Sequence, residues 1–156
     1  MRLAVFKHDD GQRIGIAPTE LSGVIIDSVA AFELLGLKSP GTPLDLLSLL
    51  RSSVEPNGYF TQLKQVSWND DVLSEARLNI KDLKLEAPIA RPGKIICLAG
   101  NYREHIIESG FVAPKQSAVF TPQLFLKPST AIIGDGDDII IGSQNTTVGW
   151  ETELAV

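Results

Sequence analysis

Short runs in which apolar and polar positions alternate occupy the start of the chain, which is the pattern of half-buried β-strands. The segments RLAVF and RIGIA flank HDDGQ, whose Asp-Gly pair is typical of a hairpin turn, and GVIID follows as a third strand candidate. The pattern therefore predicts a small antiparallel sheet in the first part of the chain.

Apolar positions at helical spacing come next and predict three helices. In SVAAFELLGL, Ser28 is a candidate N-cap and Gly36 a candidate stop signal. In TPLDLLSLLRSS, Thr42 is a candidate cap and Pro43 would occupy the first helical position. The third predicted helix is DDVLSEARL.

A change of composition at LKLEAPIARPGK predicts a boundary, because clustered proline and glycine are typical of linkers. We expect an N-terminal α/β module over residues 1–85 and a second unit over residues 86–156. In the second unit KIICLAG predicts a buried strand, QLFLK another strand, TAIIGDGDDIIIG a hairpin and VGWETELAV a further strand. NYREHIIESG predicts one short helix that ends at Gly110. The expected fold class is α+β and mainly β.

Composition narrows the class of protein. The sequence has 156 residues, 44% of them hydrophobic and 21% charged, with a formal net charge of -5. This balance is typical of a globular domain. The sequence shows no clustered basic residues of the kind that form the face of a nucleic-acid-binding protein. No apolar run approaches the ~20 residues of a membrane span, and the start does not resemble a secretory signal. The single cysteine, Cys97, excludes a disulfide within the sequence. We expect Cys97 to be buried and the protein to be cytoplasmic.

Two acidic residues, Glu151 and Glu153, lie two positions apart near the end of the sequence. In a strand they would share one face. The other face would carry Trp150, Thr152 and Leu154. Paired carboxylates suit Mg²⁺, Mn²⁺ or Ca²⁺. A solvated strand face explains the same spacing, and the spacing by itself favours that simpler interpretation.

A histidine and a glutamate, His105 and Glu108, are three residues apart in the predicted short helix and would lie on one face. A carboxylate beside an imidazole raises its basicity, so the pair could serve as a general base. An exposed ion pair of little energetic weight is the competing interpretation. Lys127, in FLKPS, could contact an anionic substrate or extend into solvent. The acidic run GDGDD lacks the glutamate of a calcium loop and predicts a turn.

The order of these motifs resembles the fumarylacetoacetate hydrolase family. The resemblance is carried by PGKIICLAGNYREHIIESG, PQLFLKPSTAIIGDGDDIII and VGWETELAV, over about residues 88–156. The N-terminal module is similar to the accessory domain of many bacterial-type members. The resemblance implies that residues 86–156 are the first part of a mixed β-roll catalytic domain, cut before its end.

For the site, the resemblance implies a divalent metal, Mg²⁺ or else Mn²⁺ or Ca²⁺, held by three acidic side chains. Glu151 and Glu153 would supply two of them, and the third is expected beyond Val156. His105 would be the base that activates water, with Glu108 as its orienting partner, on a segment that closes over the substrate. The substrate-binding residues implied by the resemblance are Lys127, Tyr102 and Arg103.

For the activity, the resemblance implies a hydrolase that cleaves a C–C bond in a 2-oxo or β-diketo acid such as an acylpyruvate. The metal would stabilise the enolate while the His–Glu pair activates water. A decarboxylase or isomerase of an aromatic-catabolite oxo-diacid is the alternative within the family. A non-catalytic fragment or binding module is the alternative outside it. The expected partners are a small oxo-acid substrate and, at full length, a second copy in a homodimer, without nucleic acid or membrane.

Overall fold

An antiparallel sheet of five strands forms the first part of the described structure. The computed structural model describes residues 2–37, 45–51, 58–113, 121–143, 147–150 and 152–156. Strands β1 (Arg2–His8) and β2 (Gly11–Ala17) form the predicted hairpin. Gly11 has a φ of 126°, a value that suits glycine and lets the chain turn back tightly.

Three shorter strands complete this sheet in the order β4-β3-β2-β1-β5. They are β3 (Val24–Asp27), β4 (Arg77–Asn79) and β5 (Leu85–Glu86). β5 pairs with β1, so a segment distant in sequence closes that edge of the hairpin. The predicted GVIID strand is confirmed as β3.

Helix α1 (Ser28–Leu34) is capped one residue earlier than its sequence predicts. The carboxylate of Asp27, and not the hydroxyl of Ser28, accepts the hydrogen bond from the Val29 N–H at 2.9 Å. Ser28 instead lies buried inside the first turn. The predicted stop is confirmed, because Gly36 adopts a φ of +62° just after the helix.

The other helices of the first part are short. They are α2 (Leu46–Arg51) and α3 (Tyr59–Leu63). The predicted cap Thr42 and the neighbouring Pro43 lie outside the described residues. The predicted third helix is a 3-10 helix over Asp71–Ala76, and a second 3-10 turn covers Ile80–Asp82.

The apolar core lies between one face of this sheet and the helices α1, α2, α3 and Asp71–Ala76. Its members Ile14, Ile16, Ile26 and Phe32 are essentially inaccessible to solvent. At its border, Arg13 donates to the buried carboxylate of Asp27 at 2.5 Å and to that of exposed Asp10 at 2.6 Å. Because Asp27 also caps α1, this ion pair ties β2 to the start of the helix.

The second part of the chain contains a two-stranded sheet of β6 (Ile95–Ala99) and β7 (Gln123–Lys127). The strands run antiparallel, from Ile95 opposite Lys127 to Ala99 opposite Gln123. Both strands are confirmed. The prediction that β6 is buried is wrong: Ile96 and Leu98 are exposed and Cys97 is half-buried, because no described element covers this ribbon.

Two predicted strand features of the second part are not formed. Gly134 and Asp137 close a turn, but residues 131–143 contain no strand, so the predicted hairpin is a turn alone. The described residues 147–150 and 152–156 are also not a strand. A strand needs a neighbouring ladder, and these residues have none among the described segments. A 3-10 turn, Ser129–Ala131, follows β7.

The acidic turn contacts the edge of the first sheet. Lys84 Nζ lies 2.5 Å from Asp137 Oδ1, and the Gly134 N–H donates to Asp137 Oδ2 at 2.8 Å. Hydrogen bonding to Asp137 raises the pKa of Lys84, and the Lys84 ammonium lowers the pKa of Asp137. A Cβ on Gly134 would lie 3.1 Å from the Glu86 backbone, so the turn packs closely on β5.

The described architecture is α+β and mainly sheet. None of the described helices is long and apolar enough to cross a membrane. The division into residues 1–85 and 86–156 stays a prediction.

Candidate functional site

Helix α4 (Arg103–Glu108) carries the histidine and glutamate singled out from the sequence. Gly100, with a φ of +63°, turns the chain out of β6, and Tyr102 keeps an extended backbone at the N-cap position. Gly110, with a φ of +81°, ends the helical segment as predicted. His105 and Glu108 therefore lie one helical turn apart, on one face.

A cleft of about 370 Å³ joins α4 to the end of the sequence. Its lining comes from two segments that are about fifty residues apart in the chain. The lining residues are Tyr102, Glu104, His105, Glu108, Trp150, Thr152 and Glu153. Four residues chosen from the sequence, Tyr102, His105, Glu108 and Glu153, thus meet around one space.

A hydrogen bond links the two walls of the cleft. The backbone N–H of Leu154 donates to the hydroxyl oxygen of Tyr102 at 3.4 Å. Tyr102 makes no side-chain cap on α4, so its hydroxyl is directed to the other segment. Since Leu154 follows Glu153 directly, this bond holds Glu153 beside the face that carries His105 and Glu108.

The charge of the cleft is one-sided. Three carboxylates line it, those of Glu104, Glu108 and Glu153, and its described lining includes neither lysine nor arginine. Carboxylates that share one cleft repel an anionic ligand, and they repel one another where they approach closely. A bound cation would relieve both repulsions.

The residues fit a divalent metal by their chemistry and supply part of its ligand set. Glu153 offers the oxygen donors that Mg²⁺ and Mn²⁺ prefer. Within the described ranges no group of three His, Cys, Asp or Glu side chains is arranged to hold a metal ion. Glu151, the other half of the acidic pair, lies outside the described residues.

Two of the residues predicted to bind substrate do not line the cleft. Lys127 ends β7, with its ammonium 5.9 Å from the centre of the Phe125 ring. Arg103 is on α4 but is absent from the lining, although its neighbour Glu104 is present. Their roles stay predictions.

The sequence did not point to three of the lining residues: Glu104, Trp150 and Thr152. Strand alternation placed Trp150 and Thr152 on the face opposite Glu153. The described residues 147–150 and 152–156 are not in a strand, so the side chains of Trp150, Thr152 and Glu153 can line the same cleft. The position of Glu104 directly before His105, in the first turn of α4, was the available signal for that residue.

Comparison with known proteins places this site in a family. Residues 94–156 match the model described as fumarylacetoacetate (FAA) hydrolase C-terminal, and this range contains every residue of the cleft. The chain belongs to the fumarylacetoacetate hydrolase family. The family resemblance drawn from the sequence is therefore confirmed.

Several curated relatives of this fumarylacetoacetate hydrolase family member are named as oxaloacetate tautomerases. The mitochondrial fahd2 protein of Xenopus laevis is 31% identical over 157 residues, which cover 99% of this chain and 43% of the relative. Mitochondrial FAHD2B of Homo sapiens is 28% identical, over 100% of this chain and 44% of the relative. Mitochondrial FAHD2A of Bos taurus is 40% identical over 70 residues, 45% of this chain and 21% of the relative. The chain spans less than half the length of these relatives.

Proposed function

We propose that the protein is a divalent-cation-dependent enzyme that acts on a small 2-oxo acid, with His105 as the group that moves a proton. The observation that carries the proposal is the meeting of His105, Glu108 and Glu153 around one cleft. Membership of the fumarylacetoacetate hydrolase family and relatives named as enzymes support it.

The reaction with most support is tautomerisation of the 2-oxo acid. His105 takes a proton from the carbon beside the 2-oxo group, and the electron pair of that C–H bond forms the C=C bond of the enol. The proton then passes to the ketone oxygen, so that no atom is gained or lost. Glu108, on the same face of α4, is the partner that orients the imidazole for this transfer. The printed names of the relatives favour this reaction.

Hydrolysis of a C–C bond is the second candidate, and the description of the matching family model favours it. In this reaction His105 takes a proton from water, whose oxygen adds to the distal carbonyl of an acylpyruvate. The C–C bond then breaks, which releases a carboxylic acid and the enolate of pyruvate, and His105 returns its proton to the enolate carbon to give pyruvate.

The cation belongs beside Glu153, with Glu151 as its sequence neighbour and second carboxylate. When bound, it supplies Lewis acidity and neutralises the carboxylate of the substrate. A cation held at Glu153 would offset the negative charge of Glu104, Glu108 and Glu153, so that an anionic oxo acid could enter the cleft. The proposal has further parts: Mg²⁺ is the specific ion, and Lys127 and Arg103 bind the substrate. The protein is also proposed to be a cytoplasmic homodimer. The names of the relatives assign those proteins to mitochondria.

Turnover of oxaloacetate and acetylpyruvate tests the proposal in the full-length protein. The keto–enol absorbance of oxaloacetate reports tautomerisation, and release of pyruvate from acetylpyruvate reports hydrolysis. We expect activity that EDTA abolishes and Mg²⁺ or Mn²⁺ restores. His105→Gln should lower kcat by about 10²- to 10⁴-fold, the usual contribution of general acid–base catalysis.

The matched control is His8→Gln, since His8 is the second histidine of the sequence and lies at the end of β1. Its kcat should equal that of the wild type. Full activity in His105→Gln would contradict the assigned base, and activity that withstands EDTA would contradict the cation.

A further inference from the structure

We infer that Trp150 is a specificity-determining residue, which favours 2-oxo acids with a flat apolar group over compact diacids. The inference rests on the proposed function, because it concerns the substrate of the same cleft. It goes beyond the compact oxaloacetate in the names of the relatives.

The position of Trp150 carries the inference. Its side chain lines the cleft together with His105 and Glu108, yet 87% of its surface is exposed. The other tryptophan, Trp68, is packed against the core of the first sheet. A large aromatic side chain therefore forms part of the wall of the cleft and is not packed into the core.

The rest of the lining is mostly polar. Glu104, Glu108 and Glu153 offer carboxylates, His105 an imidazole and Thr152 a hydroxyl, and Tyr102 adds a second aromatic ring. The carboxylates, the imidazole and the hydroxyl suit the polar end of a ligand, directly or through a cation. The indole of Trp150 offers a flat apolar face, which gains most from the burial of an equally flat apolar group.

Apolar contacts of this kind discriminate in one direction. A substrate with a phenyl group gains the contact, whereas a compact diacid keeps its polar interactions and leaves the indole in water. We therefore expect Trp150 to raise kcat/KM for aromatic 2-oxo acids without excluding compact ones.

The test compares two 2-oxo acids that undergo the same keto–enol reaction, oxaloacetate and phenylpyruvate. Trp150→Ala should lower kcat/KM for phenylpyruvate by about 10-fold or more, within the range known for the loss of apolar pocket contacts. The same variant should change kcat/KM for oxaloacetate much less. Trp150→Phe, which keeps an aromatic face, should restore most of the preference, and Trp68→Phe should leave it unchanged.

A binding readout accompanies the kinetics. Phenylpyruvate should change the tryptophan fluorescence of the wild-type protein, and the Trp150→Phe variant should lack this change. Oxaloacetate at the same occupancy should give a smaller change.

The outcomes separate the two hypotheses. An equal loss for both acids in Trp150→Ala, or an unchanged ratio of their kcat/KM values, overturns the specificity role while the proposed function stands. Absence of cation-dependent turnover of either acid by the wild type contradicts the proposed function. In that case, a Trp150-dependent fluorescence change with phenylpyruvate still supports the aromatic contact, and absence of the change overturns it.

Discussion

Two phenylalanines show how the two parts of the chain differ. Phe6, on β1, has 0% of its surface exposed, whereas Phe125, on β7, has 41% exposed. The contrast is general among the described residues, since every buried apolar side chain of the core precedes residue 77, and residues 94–156 contain none. The first part folds around its own core, and the second part holds the groups of the candidate site.

The difference separates the residues that stabilise the fold from the residues of the candidate site. In the first part, apolar side chains pack against one another in the core, and the buried carboxylate of Asp27 forms an ion pair with Arg13. In the second part, the cleft joins α4 to Trp150, Thr152 and Glu153, and a hydrogen bond links Tyr102 to Leu154. Substitutions should therefore affect folding in the first part and catalysis in the second.

The largest expected effect comes from truncating matched core and surface rings. Phe6→Ala should lower the free energy of unfolding by about 3–5 kcal/mol, because the ring is fully buried and its removal leaves a cavity. Phe125→Ala should cost less than about 1 kcal/mol, because the ring is already partly solvated. Urea denaturation of the two variants measures both values, and equal losses would contradict the comparison.

The next effect concerns the buried ion pair. Arg13→Met leaves the buried carboxylate of Asp27 without its cation and should cost about 3 kcal/mol. The control Lys84→Met breaks an exposed pair with Asp137, so its effect on stability should be far smaller. Thermal denaturation compares the two, and a larger loss in Lys84→Met would reverse the interpretation.

A smaller effect is expected from the bond between the walls of the cleft. Tyr102→Phe keeps the ring but removes the oxygen that accepts from the Leu154 N–H. One such hydrogen bond contributes about 1 kcal/mol, so kcat/KM should fall about fivefold and the unfolding midpoint by only a few degrees. A fall in the unfolding midpoint that accounts for the lost activity would assign Tyr102 a structural role only.

The smallest effect is a pH dependence at the acidic turn. Lys84 and the Gly134 N–H lower the pKa of Asp137 below its value in the unfolded chain. The stabilisation is thus complete above the unfolded pKa and is lost as the pH falls through the folded pKa. An NMR titration should give Asp137 a midpoint below that of model aspartate, and Lys84→Met should raise it. Equal titration midpoints of Asp137 in the wild type and in Lys84→Met would show that the ion pair does not lower the pKa of Asp137.

The first sheet could be predicted largely from local signals. The Asp-Gly turn fixed the β1–β2 hairpin, and GVIID became β3. The N-cap of α1 was predicted at Ser28 and lies at Asp27, because the two residues are adjacent and both types can cap a helix. Only the tertiary contact between Asp27 and Arg13 distinguishes them, and no local pattern contains it.

The candidate site was predictable in its chemistry and less so in its geometry. The spacing of His105 and Glu108 and the family resemblance chose residues that the structure brings to one cleft with Glu153. Trp150 was missed because alternation along a strand was assumed for residues that form none. Alternation is a property of a paired strand, so it could not be applied before the pairing was known.

The central claim is that His105 lies close to a cation held by Glu153, and paramagnetic broadening by Mn²⁺ tests it most directly. In the full-length protein labelled with ¹⁵N-histidine, His8→Gln and His105→Gln assign the two ring signals. We predict that Mn²⁺ broadens the His105 signal and leaves that of His8 sharp, and that Glu153→Gln abolishes the broadening. A sharp His105 signal at saturating Mn²⁺, or equal broadening in Glu153→Gln, would contradict the claim.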